Sequence, residues 1–380
     1  MKRLFLVLNL FMLVGMAMVF FSETQVYGQK GQPLIFRRHA VLDQQLLGME
    51  IFRMLVPKDW KFEGGSSWNY GVSPPELITA YTVSSPDGHS VIQQFPPIRM
   101  YWAPDQMLQS TQMQLGYGIM QPVPASDFLQ RIFIPQVRQG VSDLKIVETQ
   151  PLPEMAQSAL ALSQLSYHLY NQILPLSFVP DERADAVRVK VEYSHGGRKM
   201  VEDFTTVIIY SFTNVPTLYG AYVQTVSWRP AVFSFRAPAE EMAEKVRLFQ
   251  ISLYSRFENP VFNVTYIRLC AVITRENIQH QQAILARYQQ IRQTLSETND
   301  MVWQSYQNRS AGRDRMFENY TQAYRGMESY YDPVNRWNVS LPAGYENAWT
   351  NGTDYVFSDT PNFNPGAVLS GSWQRMERKK

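Results

Sequence analysis

The sequence predicts an α+β protein in which helices pack against an antiparallel sheet. Two pairs of β-rich runs are each joined by a short turn, which is typical of β-hairpins. Helical runs occur between these hairpins without the strict strand–helix alternation of a parallel sheet. Hydrophobic residues make up 45% of the 380 positions, so the chain has enough apolar side chains for a substantial core.

The two hairpins are predicted from their turns. Residues 85–88 (SPDG) lie between the runs ELITAYTV and SVIQQF, and their Pro and Gly supply the backbone angles of a tight turn. In VRVKVEYSHGGRKMVEDFTTVII the turn falls at Gly196-Gly197, where both residues can adopt the positive φ that a two-residue turn requires. Each turn therefore predicts two neighbouring antiparallel strands.

Two helices are predicted from apolar residues that recur every three or four positions. One helix lies within residues 154–174, and its predicted buried stripe is Leu162, Leu165, Leu169 and Ile173. The other lies within residues 239–257, and its predicted buried stripe is Met242, Val246, Phe249 and Leu253. Both helices are expected to pack on the sheet.

Three stretches of the first part of the chain resemble the PsbP family. They are LVPKDW after a strand, the SPDG turn leading to FPP and Trp102, and the closing helix with ISLYSRFENP. The resemblance covers about residues 35–257 and implies helices packed on a central antiparallel sheet. Members of the family are mainly extracytoplasmic binding or assembly modules, so the resemblance implies binding rather than catalysis. It identifies no active-site residues.

Residues 258–328 are predicted to form a long helical hairpin. Between Pro260 and Gly312 the chain contains no Gly or Pro, which favours helix. An apolar stripe follows Ile284, Tyr288, Ile291, Leu295 and Val302. The stripe is expected to pack on the sheet domain or, alternatively, to form an oligomer interface within residues 261–311.

The tail, residues 329–380, is predicted to be a small aromatic-rich β meander. Nine aromatic side chains lie between Tyr330 and Trp373, and Asn351-Gly352 is a strong hairpin turn. The rings either fill the core of this small unit or leave a stacking surface for a glycan or an extended peptide. The candidate binding surface comprises Trp337, Tyr345, Trp349, Tyr355 and Trp373. The helical and aromatic segments together resemble the closing segment of bacterial exported proteins.

The N-terminus predicts export. Lys2 and Arg3 precede an apolar run over residues 4–21, and the small residues Val26 and Gly28 follow. This order is typical of a signal peptide spanning residues 1–28, with cleavage before Gln29. The apolar run is also long enough to cross a bilayer, so a retained membrane anchor is the alternative. Both place the remaining chain outside the cytoplasm, in the periplasm or secreted.

Several chemistries lack support in the sequence. A net charge of +2 does not provide a nucleic-acid-binding surface. The single cysteine, Cys270, excludes an intramolecular disulfide, and the five histidines show no metal-ligand spacing. Asp181, Glu182 and Asp185 do not follow the calcium-loop pattern and are predicted to be surface acids in a loop. No cofactor or metal is therefore predicted, and membrane contact is expected only through an uncleaved N-terminal segment.

These observations predict an exported, non-catalytic binding or scaffold protein associated with the cell envelope. The expected partner is a glycan, a peptide or an envelope protein. The alternative function is an extracytoplasmic hydrolase that uses carboxylates which the sequence does not localise. Glycosidase acids require only a suitable separation in space and no local motif.

Overall fold

The structure is a computed structural model that describes residues 33–70, 72, 75–173, 180–216, 222–275 and 327–379. The predicted signal segment and positions 276–326 of the predicted helical hairpin lie outside these ranges. Within them, no helix is both long enough and apolar enough to cross a membrane.

The elements are numbered in chain order. They are β1 (Leu34–Leu42), β2 (Glu50–Pro57), β3 (Lys61–Asn69), β4 (Glu76–Ser84), β5 (Val91–Gln94), β6 (Met100–Trp102), α1 (Gln106–Gln114), β7 (Gly118–Ile119), α2 (Ala125–Asp127), α3 (Ile134–Val137), β8 (Lys145–Pro151), α4 (Pro153–Ile173), β9 (Asp181–His195), β10 (Arg198–Pro216), β11 (Tyr222–Pro238), α5 (Met242–Tyr254), β12 (Phe257–Glu258), α6 (Pro260–Arg275), β13 (Met327–Asp332), β14 (Trp337–Pro342), β15 (Asn347–Thr350), β16 (Asp354–Ser358), β17 (Gln374–Arg375) and β18 (Glu377–Lys379). A short π-helical stretch, Phe128–Phe133, joins α2 to α3.

The largest sheet has nine strands and confirms the α+β fold class. Its order is β3-β4-β5-β11-β10-β9-β8, and β6 pairs with β11 and with β7. The pairs along this path are antiparallel, whereas β6 and β7 are parallel. The long strands β9, β10 and β11 form its centre, and helices cover both faces.

Both predicted hairpin turns are confirmed. Gly196 and Gly197 connect β9 to β10 with φ angles of 59° and 79°, as a two-residue turn requires. Between β4 and β5, Gly88 has a φ of 72°, and its N–H donates to the carbonyl of Ser85 over 2.8 Å. Local turn chemistry therefore sets the register of these two strand pairs.

The two faces of the nine-stranded sheet bury two separate apolar cores. Alternate residues of β11 point to opposite faces. Phe233 and Phe235 pack in the core beneath α4, α5 and α6, and Phe235 stacks on Phe249 with ring centroids 4.7 Å apart. Trp228 and Val232 pack on the other face, beneath the segment from α2 to α3.

The helix predictions had different outcomes. In α5 the predicted stripe is confirmed, because Val246, Phe249 and Leu253 are buried and Met242 packs against the same core. In α4 the predicted stripe is confirmed only in part, because Leu169 packs against the same core whereas Leu162 and Leu165 are only half-buried. The side chain of Ile173, the fourth residue of that stripe, lies outside the described part of the chain. The buried residues of α4 are Met155, Ala156, Ala159, Ser166, Tyr167 and Tyr170. Tyr167 and Tyr170 are therefore buried more deeply than the predicted leucines.

A second, six-stranded sheet joins the two ends of the described chain. Its order is β12-β2-β1-β16-β15-β17. Strand β1 pairs antiparallel with β16, so that Phe36 lies opposite Tyr355. The tail hairpin β15–β16 is therefore continuous with the hairpin β1–β2. A third sheet, β14-β13-β18, lies beside it.

Candidate functional site

The structure separates the five rings of the candidate tail surface into two groups. Trp337, Tyr345 and Tyr355 are 5%, 3% and 0% exposed and belong to a core shared with β1, β2 and α5. Trp349 and Trp373 are half-buried. Their indole N–H groups are buried and have no hydrogen-bond acceptor in the described part of the chain. These two indoles therefore offer a ligand only their ring surfaces.

Asp332 explains why Trp337 and Tyr355 are held inside. Its Oδ2 accepts hydrogen bonds from Tyr355 Oη at 2.6 Å and Trp337 Nε1 at 3.0 Å, and from Asn335 Nδ2 at 2.9 Å. The guanidinium of Arg53 lies 4.7 Å from the ring centre of Trp337. Burial alone would raise the pKa of Asp332, but these hydrogen bonds hold it below its ordinary value. This network positions core residues of the tail.

A different group of polar side chains lies inside the protein, between α4 and the nine-stranded sheet. We define the polar row as Glu182 of β9, Ser211 of β10, Ser227 of β11 and Tyr101 of β6. Ser211 pairs with Glu182 on one side and with Ser227 on the other, and Ser227 pairs with Tyr101. Residues directly opposite one another in antiparallel strands point to the same face. The four side chains therefore form one line across four strands.

Helix α4 covers the polar row with a polar face of its own. Ser163 and Ser211 each donate a 3.0 Å hydrogen bond from Oγ to Glu182 Oε1. Tyr167, one turn further along α4, is buried, and its nearest charges are Arg229 and Glu182. Burial also raises the pKa of Tyr101 to about 12, so its hydroxyl stays protonated at neutral pH. The polar row gives a physical reason for the orientation of α4, since it provides partners for hydroxyl groups and none for leucine.

Charged residues adjoin the polar row at one side. Arg229 lies two positions after Ser227 and so projects to the same face of β11. Burial raises the pKa of both Glu76 and Glu182, and the positive charge of Arg229 partly offsets the rise for each. Nη1 of Arg99 lies 3.4 Å from Oε2 of Glu76, and Nη2 of Arg99 donates a 2.6 Å hydrogen bond to Oη of Tyr117. Two arginines and two glutamates thus form one electrostatically connected cluster.

Polar atoms around the row lack partners. Ser227 is 4% exposed, and its Oγ has no hydrogen-bond partner within the described ranges. The same holds for Glu182 Oε2. Buried polar atoms in folded proteins almost always have a partner. The row therefore has hydrogen-bonding capacity that a bound molecule or ordered water would use.

This site was not predicted from the sequence. The prediction that Asp181, Glu182 and Asp185 lie in a loop was wrong, because all three lie in strand β9. Asp181 is exposed as predicted, whereas Glu182 and Asp185 are half-buried. Asp185 accepts from the N–H of Ala125 at 2.8 Å, and Glu182 enters the polar row. The available signal was the alternation of hydroxyl residues in buried strands, at Ser211 and Thr213 and again at Thr225 and Ser227. Among the residues that the structure describes, no group of three or more acidic, His or Cys side chains could hold a metal ion.

No protein-family model matches the chain, and no curated protein matches it. Among solved structures, the chain is similar to the solution structure of cyanobacterial PsbP (CyanoP) from Synechocystis sp. PCC 6803. The two share 11% sequence identity with a TM-score of 0.25, over 61% of this chain and 96% of the PsbP chain. This is a loose likeness at the level of the fold.

Proposed function

We propose that the protein is an exported, non-catalytic binding protein that holds a small polar molecule at the polar row. The observation that carries this proposal is the buried Ser227 hydroxyl, which has no partner among the described residues although it lies between Ser211 and Tyr101. A buried hydroxyl without a hydrogen bond destabilises the fold by about 1–3 kcal/mol. A ligand that bonds to it removes this cost.

The polar row is a better location for the ligand than the tail rings. Three of the five tail aromatics fill a core, which leaves only Trp349 and Trp373 partly accessible. Ligand sites combine apolar and aromatic walls with a few convergent polar groups. Around the row, the rings of Tyr101, Tyr117 and Tyr167 supply the walls, and Ser227 and Glu182 supply the polar groups.

Export is supported by the sequence of residues 1–28. The basic start, apolar run and small residues before Gln29 are those of a signal peptide, with a retained anchor as the alternative. A binding protein of the cell envelope, in the periplasm or secreted, meets small polar molecules that enter from outside. A location outside the cytoplasm is therefore consistent with the binding of a small polar molecule at the polar row.

The test is the melting temperature of the exported chain with small polar probes. The panel contains glucose, glycine, succinate, inorganic phosphate and putrescine, each titrated to saturation. We expect at least one probe to raise the melting temperature in a saturable manner, because ligands that bind only the folded state stabilise it. We expect Ser227→Ala to reduce this rise and to raise the melting temperature without probe, because it removes a buried hydroxyl that has no partner among the described residues.

Thr205→Val is the matched control. Thr205 is also buried with a hydroxyl that has no partner in the described ranges, and it lies in β10 on the same face as Ser211 but six positions away. Thr205→Val should therefore leave the probe response intact. The proposal fails if no probe stabilises the protein, or if the control loses the response as fully as Ser227→Ala.

A hydrolase is the second candidate, because two carboxyl groups with raised pKa lie near one arginine. Perturbed carboxyl groups of this kind serve as general acids in hydrolytic enzymes. If Glu182 has this role, the exported chain should release nitrophenol from p-nitrophenyl glycosides, and Glu182→Gln should not. Absence of release from the unmodified chain would exclude this glycosidase activity and would leave binding as the function.

A further inference from the structure

We infer that the molecule held at the polar row is electrically neutral and carries several hydroxyl groups, as a monosaccharide or a cyclic polyol does. This inference rests on the proposed function, and it names the chemical class of the ligand.

The first argument is the balance of charge at the site. Arg99 and Glu76 form an ion pair whose two side chains are each 7% exposed. The positive charge of Arg229 acts on the pKa of both Glu76 and Glu182, so two positive and two negative groups belong to the row and its charged neighbours. Asp105, the other carboxylate near Tyr101, caps α1 by accepting from the N–H groups of Met107 and Leu108. A charged ligand would therefore leave one buried charge uncompensated, which is strongly unfavourable.

The second argument is the mixture of donors and acceptors. Glu182 Oε2 accepts when ionised, and the Ser227 hydroxyl both donates and accepts. A molecule that satisfies both atoms needs donors and acceptors close together. Hydroxyl groups combine the two roles on one atom, so a compact polyhydroxylated molecule fits this set better than an amine or a carboxylate.

The third argument is the aromatic wall. Tyr101 and Tyr117 are buried side by side, with ring centroids 6.2 Å apart and ring planes at 69°. Rings with polar tips contact molecules that have both C–H and O–H surface. A sugar or cyclic polyol has both, whereas inorganic phosphate has only polar surface.

Calorimetric titration of the exported chain tests the inference with matched probes. The neutral probes are glucose, galactose, mannose and myo-inositol, and the charged probes of similar size are gluconate and glucosamine. We expect at least one neutral probe to bind at least about tenfold more tightly than either charged probe, which corresponds to about 1.4 kcal/mol. We expect Ser227→Ala to weaken this binding about fivefold or more, and Thr205→Val to leave it unchanged.

The outcomes separate the inference from the proposed function. If gluconate, glucosamine or a charged member of the earlier panel binds and no neutral polyol does, the inference is overturned and the binding function stands. If nothing binds in either experiment, ordered water alone satisfies the polar row, and both proposals fail. If a neutral polyol binds equally well to Ser227→Ala, the ligand lies elsewhere and the inference is overturned.

Discussion

Tyr355 donates a 2.6 Å hydrogen bond from its hydroxyl to Oδ2 of Asp332, and both residues are completely buried. Asp332 ends β13, whereas Tyr355 lies in β16 opposite Phe36 of β1. The contact therefore connects the small sheet β14-β13-β18 to the six-stranded sheet. It also gives a buried carboxylate one of the strong donors that keep it ionised.

Removing this donor should destabilise the fold. We expect Tyr355→Phe to lower the free energy of unfolding at pH 7 by about 1.5–3 kcal/mol, as for hydrogen bonds to charged groups. Urea unfolding followed by tryptophan fluorescence measures the difference. Tyr331→Phe is the control. Tyr331 immediately precedes Asp332 and is only half-buried.

The loss caused by Tyr355→Phe should also depend on pH. The pKa of Asp332 is lowered in the folded state, so its contribution is present above the unfolded value of about 3.9 and is lost as pH falls below it. The difference between the two proteins should therefore shrink between pH 5 and pH 2. A difference that stays constant over this range would contradict the assigned charge of Asp332.

Asp203 should show the opposite pH dependence. Burial raises the pKa of Asp203 to about 6. Nε of Arg188 lies 3.8 Å from Oδ1 of Asp203, and Nη2 of the same guanidinium lies 2.8 Å from Oε1 of Glu148. Between pH of about 3.8 and about 6 the folded chain binds a proton that the unfolded chain releases. The unmodified protein therefore loses stability as pH rises through this window.

Asp203→Asn should remove that loss. We expect the variant to be more stable than the unmodified protein at pH 7, by about 3 kcal/mol at most, and to differ little at pH 3.5. Arg188 keeps Glu148 as a partner in the variant. Chemical unfolding at a series of pH values is the measurement, with the exposed Asp181→Asn as a control that should show no such trend. Equal stability of Asp203→Asn and the unmodified protein at pH 7 would contradict the assignment.

Gly64 is required by the close approach of β3 and β4. Its φ is +107°, and an added Cβ would lie 2.4 Å from the carbonyl oxygen of Ala80. Gly88 also has positive φ, at +72°, but open space surrounds its Cβ position. Gly88→Ala should cost about 1–2 kcal/mol from the backbone angle alone, and Gly64→Ala should cost clearly more. Similar melting temperatures for the two variants would show that the strands adjust without cost.

The predicted export signal is tested by the intact mass of the purified protein. Cleavage after Gly28 gives a chain that begins at Gln29, whereas a retained anchor gives a chain that begins at Met1. We expect intact-mass measurement to find the shorter chain. Gly28→Phe should block cleavage, because signal peptidase sites require a small residue at that position. A full-length mass for the unmodified protein would establish the anchor.

Local features of the fold were predictable, because the residues that determine them are neighbours in sequence. The turn at Gly196-Gly197 depends on two adjacent glycines, and the buried face of α5 follows from the spacing of Val246, Phe249 and Leu253. The pairing of β1 with β16 was not predictable in this way. No local pattern in either strand specifies a partner from the other end of the chain.

The candidate site could not be predicted from the sequence, because the leucine spacing in α4 and the acidic character of Glu182 both indicated other positions for these residues. Leucine spacing in α4 predicted its buried face only in part, because Ser163 instead donates to the carboxylate of Glu182 and Tyr167 is buried one turn further along. Glutamate is a residue type that usually lies at the surface. Only the register of β9 with β10 places Glu182 opposite Ser211. A polar site that is assembled across four strands has no signature within any one of them.

The ion pair between Arg37 and Asp354 joins residues that are 317 positions apart along the chain. During synthesis, β1 emerges long before the strand that it pairs with. A chain that stops before residue 354 leaves one edge of β1 open, and open strand edges invite aggregation and proteolysis. The edge of β1 is therefore covered only after the last part of the chain has been synthesised.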